Sequence, residues 1–365
     1  MLPHPGLARL NKILLFAILV SIVLYFGREF FKLISFAGLL SMLMTPVSNR
    51  LENLRFSRLF SSLISVLIIA IVFSGVLLLL AAQIGNIGKE LPVILLRFEE
   101  IKTEIQSWIN DSLGVTTEQL RVHTSDAFNN AGSFLTGMIK STVNFIGSVF
   151  LVLVFIFLFL MQRNKYEDFV VMLYKEEKRN EAREMIDKIS RVAQQYLTGR
   201  LIAALIMGAL FLIGFLLIGL KNAVVLSLIV SIMTIIPYVG GLIGGLVPFF
   251  ISFIEGSFNQ SLLVVVIILI VNTIDHYVIE PYIVGGSVNI SPFFTIFALI
   301  LGSVIWGISG IILFLPLSGI LKIVFENVHG LQAYGYLIGD QRDSSEPKNM
   351  WSNIKRIFSR KRKIK

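Results

Sequence analysis

Residues 222–254 read NAVVLSLIVSIMTIIPYVGGLIGGLVPFFISFI, an apolar run of 33 residues without a charge. One crossing of a bilayer needs about 20 residues, so the run is too long for a single upright span. Near its middle it is broken by Pro237-Tyr238-Val239-Gly240-Gly241. Residues 292–326 repeat the problem over 35 residues, with a break at Trp306-Gly307-Ile308-Ser309-Gly310. Each run is either one long kinked helix or two half-helices folded back as a hairpin. The lengths fit hairpins better, and the sidedness of the chain ends is the same in both.

Outward from these two runs the chain keeps the same character. Of its 365 residues 55% are hydrophobic and 15% charged, and the mean hydropathy is +0.80. A soluble domain carries about a quarter charged residues. Further apolar segments lie near 12–27, 30–47, 60–84, 143–161, 201–220 and 261–280. The expectation is an all-α polytopic membrane protein with about eight membrane segments, some discontinuous or re-entrant. The first segment lacks a small-residue cleavage site after it and reads as a retained span rather than a signal peptide.

The net charge of +9 raises the question of nucleic acid, but its placement answers it. Basic residues sit at Arg50, Arg55 and Arg58, from Arg163 to Arg200, and in the tail from Lys348 to Lys365. That is the pattern of cytoplasmic loops. It predicts a multi-pass protein of the cell (inner or plasma) membrane with both termini cytoplasmic and no nucleic-acid partner. The chain has no Cys, which excludes disulfides and thiolate metal sites. Four scattered His, with no His-Glu-x-x-His, predict no metal centre, and no phosphate-binding Gly-rich loop suggests ATP. Neither a catalytic residue nor a cofactor is expected. Gly307-Ile308-Ser309-Gly310 matches the surroundings of the serine in intramembrane rhomboid proteases, but neither His276 nor His329 stands where the base would be needed.

These signals divide the chain into N-terminal spans (1–84), an extracytoplasmic amphipathic helical region (85–142), a fourth span with a cytoplasmic interfacial helix (143–200), a transport core with broken helices (201–328) and a basic tail (329–365). In the outer region Ile94, Phe98, Ile101, Ile105 and Trp108 recur at helical spacing. In 176–200, Met185, Ile189, Val192 and Tyr196 form an apolar face and Glu184–Lys188 and Asp187–Arg191 an ion-paired one. In the tail Trp351, Ile354 and Phe358 share a face among basic residues, which predicts contact with anionic lipids.

Broken membrane helices free backbone groups that survive only where they are buried in protein or line a wet cavity. There they make sites for ions and small polar substrates. Pro237, Tyr238, Gly240, Gly241, Gly244 and Gly245 are therefore candidates for a substrate or ion pathway, as are Gly307 and Gly310. Gly240-x-x-x-Gly244 and Gly241-x-x-x-Gly245 equally suit close helix packing. A third candidate is NTIDHYVIEP, residues 272–281, at the end of a membrane-length helix. Asn272, His276 and Glu280 share one helical stripe, Asp275 lies about 100° away, and Pro281 is expected to end the helix. A carboxylate there meets the negative end of the helix dipole. Glu280 with His276 is thus a candidate proton- or cation-binding pair, with Asp275 tuning the field, unless the stretch is only a helix end in the headgroup region.

The residues then form a recognisable set. They are Tyr196-Leu197-Thr198-Gly199; Ile236-Pro237-Tyr238-Val239-Gly240 with Gly244 and Pro248; Glu280-Pro281-Tyr282-Ile283-Val284-Gly285 with Pro292; and Gly307, Gly310 and Pro316-Leu317. Over about Lys12 to Val328 the chain resembles the autoinducer-2 exporter family, also called PerM-like or UPF0118 transporters. The resemblance implies a secondary transporter with roughly eight segments and a homo-oligomeric assembly, a pentamer. Its members are linked to export of the quorum-sensing signal autoinducer-2 and some to Na⁺(Li⁺)/H⁺ exchange. Arg200 and the Asp275-His276 pair are features of this chain to which no family role transfers. The leading expectation is a proton-coupled exporter of a small polar molecule, with both breaks forming the site. A monovalent cation/proton antiporter is the second, and a non-transporting membrane scaffold the third.

Overall fold

The computed structural model describes residues 14–15, 18–19, 22–78, 147–238, 240–255, 258–284 and 288–340. The expected outer region, 85–142, and the lipid-binding part of the tail lie outside these residues. The described chain is helical, with one isolated bridge, Ile290 to Gly339. In lipid every backbone polar group must find a partner inside the chain, and the helix provides that within one segment.

Two long helices open the description. α1 (Arg28–Asn53) and α2 (Arg58–Leu78) are joined by a short turn in which Arg55 takes a φ of 71°. α3 (Gly147–Met161) bends by 65° into α4 (Arg163–Met172). The bend is tied to the end of α1, where Arg163 donates to Glu52 at 2.6 Å and to Ser48 at 3.1 Å. Ala37, Val66, Ile69, Ile156 and Leu160 pack α1, α2 and α3 into one core.

α5 (Arg179–Leu217) is a single helix of 39 residues. At 1.5 Å per residue it runs about 58 Å, roughly twice the hydrocarbon thickness. Its first half is the amphipathic helix read in the sequence. Met185, Ala193 and Tyr196 are buried there, while Glu184, Asp187, Lys188 and Arg191 are exposed. The chain passes from that amphipathic half into the apolar half without a break.

The two over-long runs resolve as hairpins. α6 (Ala223–Met233) and α7 (Gly240–Glu255) face each other in reverse order: Gly240 abuts Met233 and Thr234, and Gly244 abuts Met233 and Val230. α6 is only 11 residues, about 16 Å, too short to cross alone. α9 (Pro292–Trp306) and α10 (Ile308–Asn327) reverse at Gly307, whose φ of 62° suits glycine. Gly302 and Gly310 then meet backbone to backbone, leaving no room for a Cβ at either. Between the hairpins run α8 (Phe258–Ile274) and its continuation to Val284.

The second hairpin is closed at its base by α11 (Gln332–Ile338), where Ser291 N–H donates to Ile338 O at 2.9 Å. Among the described residues five helices are long and apolar enough to cross a membrane, and the bent α3–α4 pair makes a sixth. α6, α7 and α9 are shorter apolar helices.

The first hairpin predicts a labelling pattern in this Cys-free chain. Lys221 precedes it and Asn259 follows it, and both are exposed. Single Cys variants at these positions should react with an impermeant thiol reagent from the same side of the membrane. Opposite sidedness would mean that 222–254 crosses once.

Candidate substrate and ion site

α6 stops in mid-chain, and a stopped helix leaves its last carbonyls without intrahelical partners. Just past the last residue of α6, Met233, the carbonyls of Thr234 and Ile235 are met by a side chain from another helix. Arg200, on α5, is only 6% exposed; its Nη2 donates to Thr234 O and its Nε to Ile235 O at 3.3 Å. A fixed positive charge thus sits on the negative end of a short helix. The crossing that places it is tight. Ser231 Oγ donates to Ala204 O at 2.5 Å, Thr234 Oγ1 donates to Ser231 O at 2.6 Å, and a Cβ on Gly208 would meet Ser231.

The other wall is the end of α8. Here the sequence expectation needs correcting, because Pro281 does not end the helix. From Asp275 to Val284 the winding loosens into a π-helix with Pro281 inside it. Proline lacks a donor and crowds the carbonyl one α-turn back. A wider turn moves that carbonyl away, and local π adjustment re-satisfies the backbone, as membrane helices allow. Pro281 itself is exposed.

Along this segment Asp275 is 7% exposed, and its Oδ1 is buried without a hydrogen-bond partner. His276 Nδ1 lies 3.2 Å from Glu280 Oε2. Arg200, Glu280 and His276 are the charged groups whose fields act on Asp275, Arg200 most strongly. The Tyr238 ring, at the tip of the first hairpin, stacks on the His276 ring with centroids 5.9 Å apart and planes 19° apart. Tyr238 holds this position with a φ of 63°. That conformation costs a bulky residue about 1–3 kcal/mol and persists only where the surroundings impose it.

Two stretches far apart in sequence therefore meet. Tyr238, Gly240, Gly241, Asn272, Asp275, His276 and Glu280 lie at one junction, with Pro237 fully buried beside them. Asn272 Oδ1 occupies the space a Cβ on Gly241 would need, and Asn272 Nδ2 is buried without a partner. Gly244 and Gly245 serve packing, against Val230 and Met233 on one side and Ile268 on the other. Gly307 and Gly310 belong to a different junction. Trp306 packs with Leu39 and Leu313, and Ser309 lines a cavity of about 210 Å³ with Glu29, Lys32 and Phe36 of α1. The two breaks thus face different surroundings, and the polar cluster is built on the first alone.

Arg200 and Tyr196 are members that the sequence reading named without placing them in the site. Arg200 closes both the basic stretch that begins at Arg163 and the amphipathic helix 176–200, and no role was given to it. The signal was its register: Tyr196, Arg200, Ala203, Met207 and Phe211 recur at three- and four-residue spacing and all are buried. An arginine inside an apolar stripe is a different object from one in a loop.

The family model described as AI-2E family transporter matches residues 14–330. The chain belongs to the AI-2E transporter family. Among the relatives of this AI-2E transporter, the Bacillus subtilis chain named "Putative transport protein YueF" is 23% identical over 323 residues, covering 84% of this chain and 86% of that one. The Escherichia coli AI-2 transport protein TqsA is 25% identical over 342 residues, covering 91% and 96%. A sodium-lithium/proton antiporter of Halobacillus andaensis is 21% identical over 219 residues, covering 59% and 58%. The protein is a multi-pass membrane transporter, and its apolar helices and the family agree on that.

The contact between Gly241 and Asn272 is open to a double-mutant cycle. In this AI-2E transporter Gly241→Ala should destabilise the protein by about 1–3 kcal/mol, the usual cost of overpacking. Asn272→Ala removes the obstructing amide, so the double variant should recover much of that loss in thermal unfolding. Simple additivity of the two changes would mean that the two residues are not in contact.

Proposed function

We propose that this protein is a proton-coupled exporter of a small polar molecule, autoinducer-2 being the cargo named for the Escherichia coli relative. The charge count at the first hairpin carries the reading. Asp275 and Glu280 stand against Arg200 alone, and His276 is bonded to Glu280. With His276 neutral the cluster holds one negative charge too many for a poorly hydrated place. A proton taken up by the His276–Glu280 pair cancels it. Ionisable groups inside a membrane protein are expensive and mark ion or proton routes.

The pair is well placed for exchange. The side chains of His276 and Glu280 are 41% and 22% exposed, while Asp275 is buried. Tyr238 lies on His276 and stands at the hairpin tip. Protonation of His276 therefore changes what the tip rests on, because an imidazolium over a phenol ring gains a cation–π attraction. That links the proton to the position of the break, where a polar cargo finds freed backbone groups.

A second reading, Na⁺(Li⁺)/H⁺ exchange, is favoured by the unpartnered Asp275 oxygen and by the name of the Halobacillus andaensis relative. Proteoliposomes with imposed pH and Na⁺ gradients separate the two. Export of autoinducer-2 that follows the pH gradient and ignores Na⁺ supports the first; cation flux alone supports the second.

Within the first reading Glu280→Gln removes the excess negative charge and the site that titrates. Its transport should become independent of pH, while His276→Gln should shift the pH dependence and Asp275→Asn change it less. An unaltered pH profile in Glu280→Gln would sink the proton coupling.

A further inference from the structure

We infer that Arg200 is a built-in cation that fills the place a free monovalent cation would otherwise take, and so makes this transporter indifferent to Na⁺. The inference rests on the charge count just given and names what excludes Na⁺ from the same cluster.

Oxygen atoms define the place. The carbonyls of Thr234 and Ile235, just past the end of α6, accept from Arg200. The π-helix packs on the same α5, and its Asp275 interacts electrostatically with Arg200 and is buried with Oδ1 free of any hydrogen bond. Carbonyls released by an unwound helix, the negative end of a half-helix and a carboxylate are what a hard monovalent cation seeks. Among the described residues the titratable groups that interact here are Tyr196 and Arg200 of α5, Tyr238 of the hairpin tip, and Asp275, His276 and Glu280 of the π-helix. Arg200 is the one permanent positive charge among them.

A guanidinium suits the role because it donates to several acceptors and does not lose its proton. Being attached to α5, it cannot be carried across. Arg200 therefore holds the oxygen cluster neutral without joining the transport cycle, and one proton on the His276–Glu280 pair completes the balance. Shortening Arg200 to Ala leaves both carbonyls without their partner and raises the deficit from one charge to two. The same proton then covers half of it. A vacated, polar, buried space next to Asp275 remains for one small monovalent cation with its water.

A merely structural cap predicts otherwise: Arg200→Ala would be destabilised equally in every salt. The test uses the purified full-length protein, with bound ²²Na⁺ and thermal unfolding measured in NaCl and in choline chloride of equal ionic strength. The wild type should bind no ²²Na⁺ and unfold at one temperature in both salts. Arg200→Ala should bind ²²Na⁺ and gain stability with the logarithm of the NaCl concentration, as a specific ligand requires. Arg200→Lys keeps the tethered charge and should stay blind to Na⁺. Arg200→Ala/Asp275→Asn should lose the binding that Arg200→Ala gained.

Wild-type binding of ²²Na⁺ that Asp275→Asn abolishes would overturn the inference. So would a folded Arg200→Ala that ignores Na⁺. If Arg200→Ala fails to fold in either salt, Arg200→Gln, which keeps a donor for the carbonyls and loses the charge, takes its place, and indifference of that variant to Na⁺ is equally fatal. Because binding is read at equilibrium without transport, a failure of proton coupling in Glu280→Gln leaves this result legible on its own.

Discussion

A helix that stops inside a membrane leaves carbonyls that water does not reach, and the hydrogen bonds from Arg200 to Thr234 and Ile235 answer that problem here. Without them the break at residues 234–239 would place orphaned acceptors in an apolar layer, each costing several kcal/mol. The remedy imports a charge, and a buried charge needs its own compensation. Asp275, on α8's continuation, is the buried carboxylate that interacts with it electrostatically. The break, the arginine and the aspartate thus form a chain of requirements. The break demands a donor, the donor is charged, and the charge demands a carboxylate. What remains over is Glu280, whose Oε2 lies 3.2 Å from His276 Nδ1.

Packing serves this arrangement. Glycine recurs where backbones must approach: Gly240 and Gly244 let α7 lie on α6, Gly241 admits Asn272, and Gly245 admits Ile268. Lipid gives no hydrophobic drive between helices, so close contact is the main source of cohesion. The hairpin is consequently held by α5 and α8 while its tip carries Tyr238 in a strained conformation, half-exposed, on the His276 ring.

Much of this was legible in the sequence, and the rest was hidden for identifiable reasons. Run length against bilayer thickness exposed both hairpins, because 33 and 35 apolar residues fit neither one span nor two. The Asn272–Glu280 stretch drew notice because titratable groups are rare in such company. That it meets Tyr238 was beyond reach, since stacking between residues 238 and 276 depends on how the hairpin docks. Pro281 misled because the rule that proline ends helices assumes α-winding. Arg200 stood out as a feature of this chain but received no role, because a basic residue at the end of a basic run looks solvent-facing until the register of the helix is followed through it.

The π-helical winding has a further consequence for the site. A winding whose hydrogen bonds run from i to i+5 keeps side chains four apart near one stripe, and His276 Nδ1 and Glu280 Oε2 lie 3.2 Å apart across that step. Asp275 lies off that stripe and is 7% exposed, whereas the His276 and Glu280 side chains are 41% and 22% exposed. The two carboxylates of the segment therefore stand in different surroundings. The wider turn carries the segment past Pro281 to Val284, where the helix still had to continue.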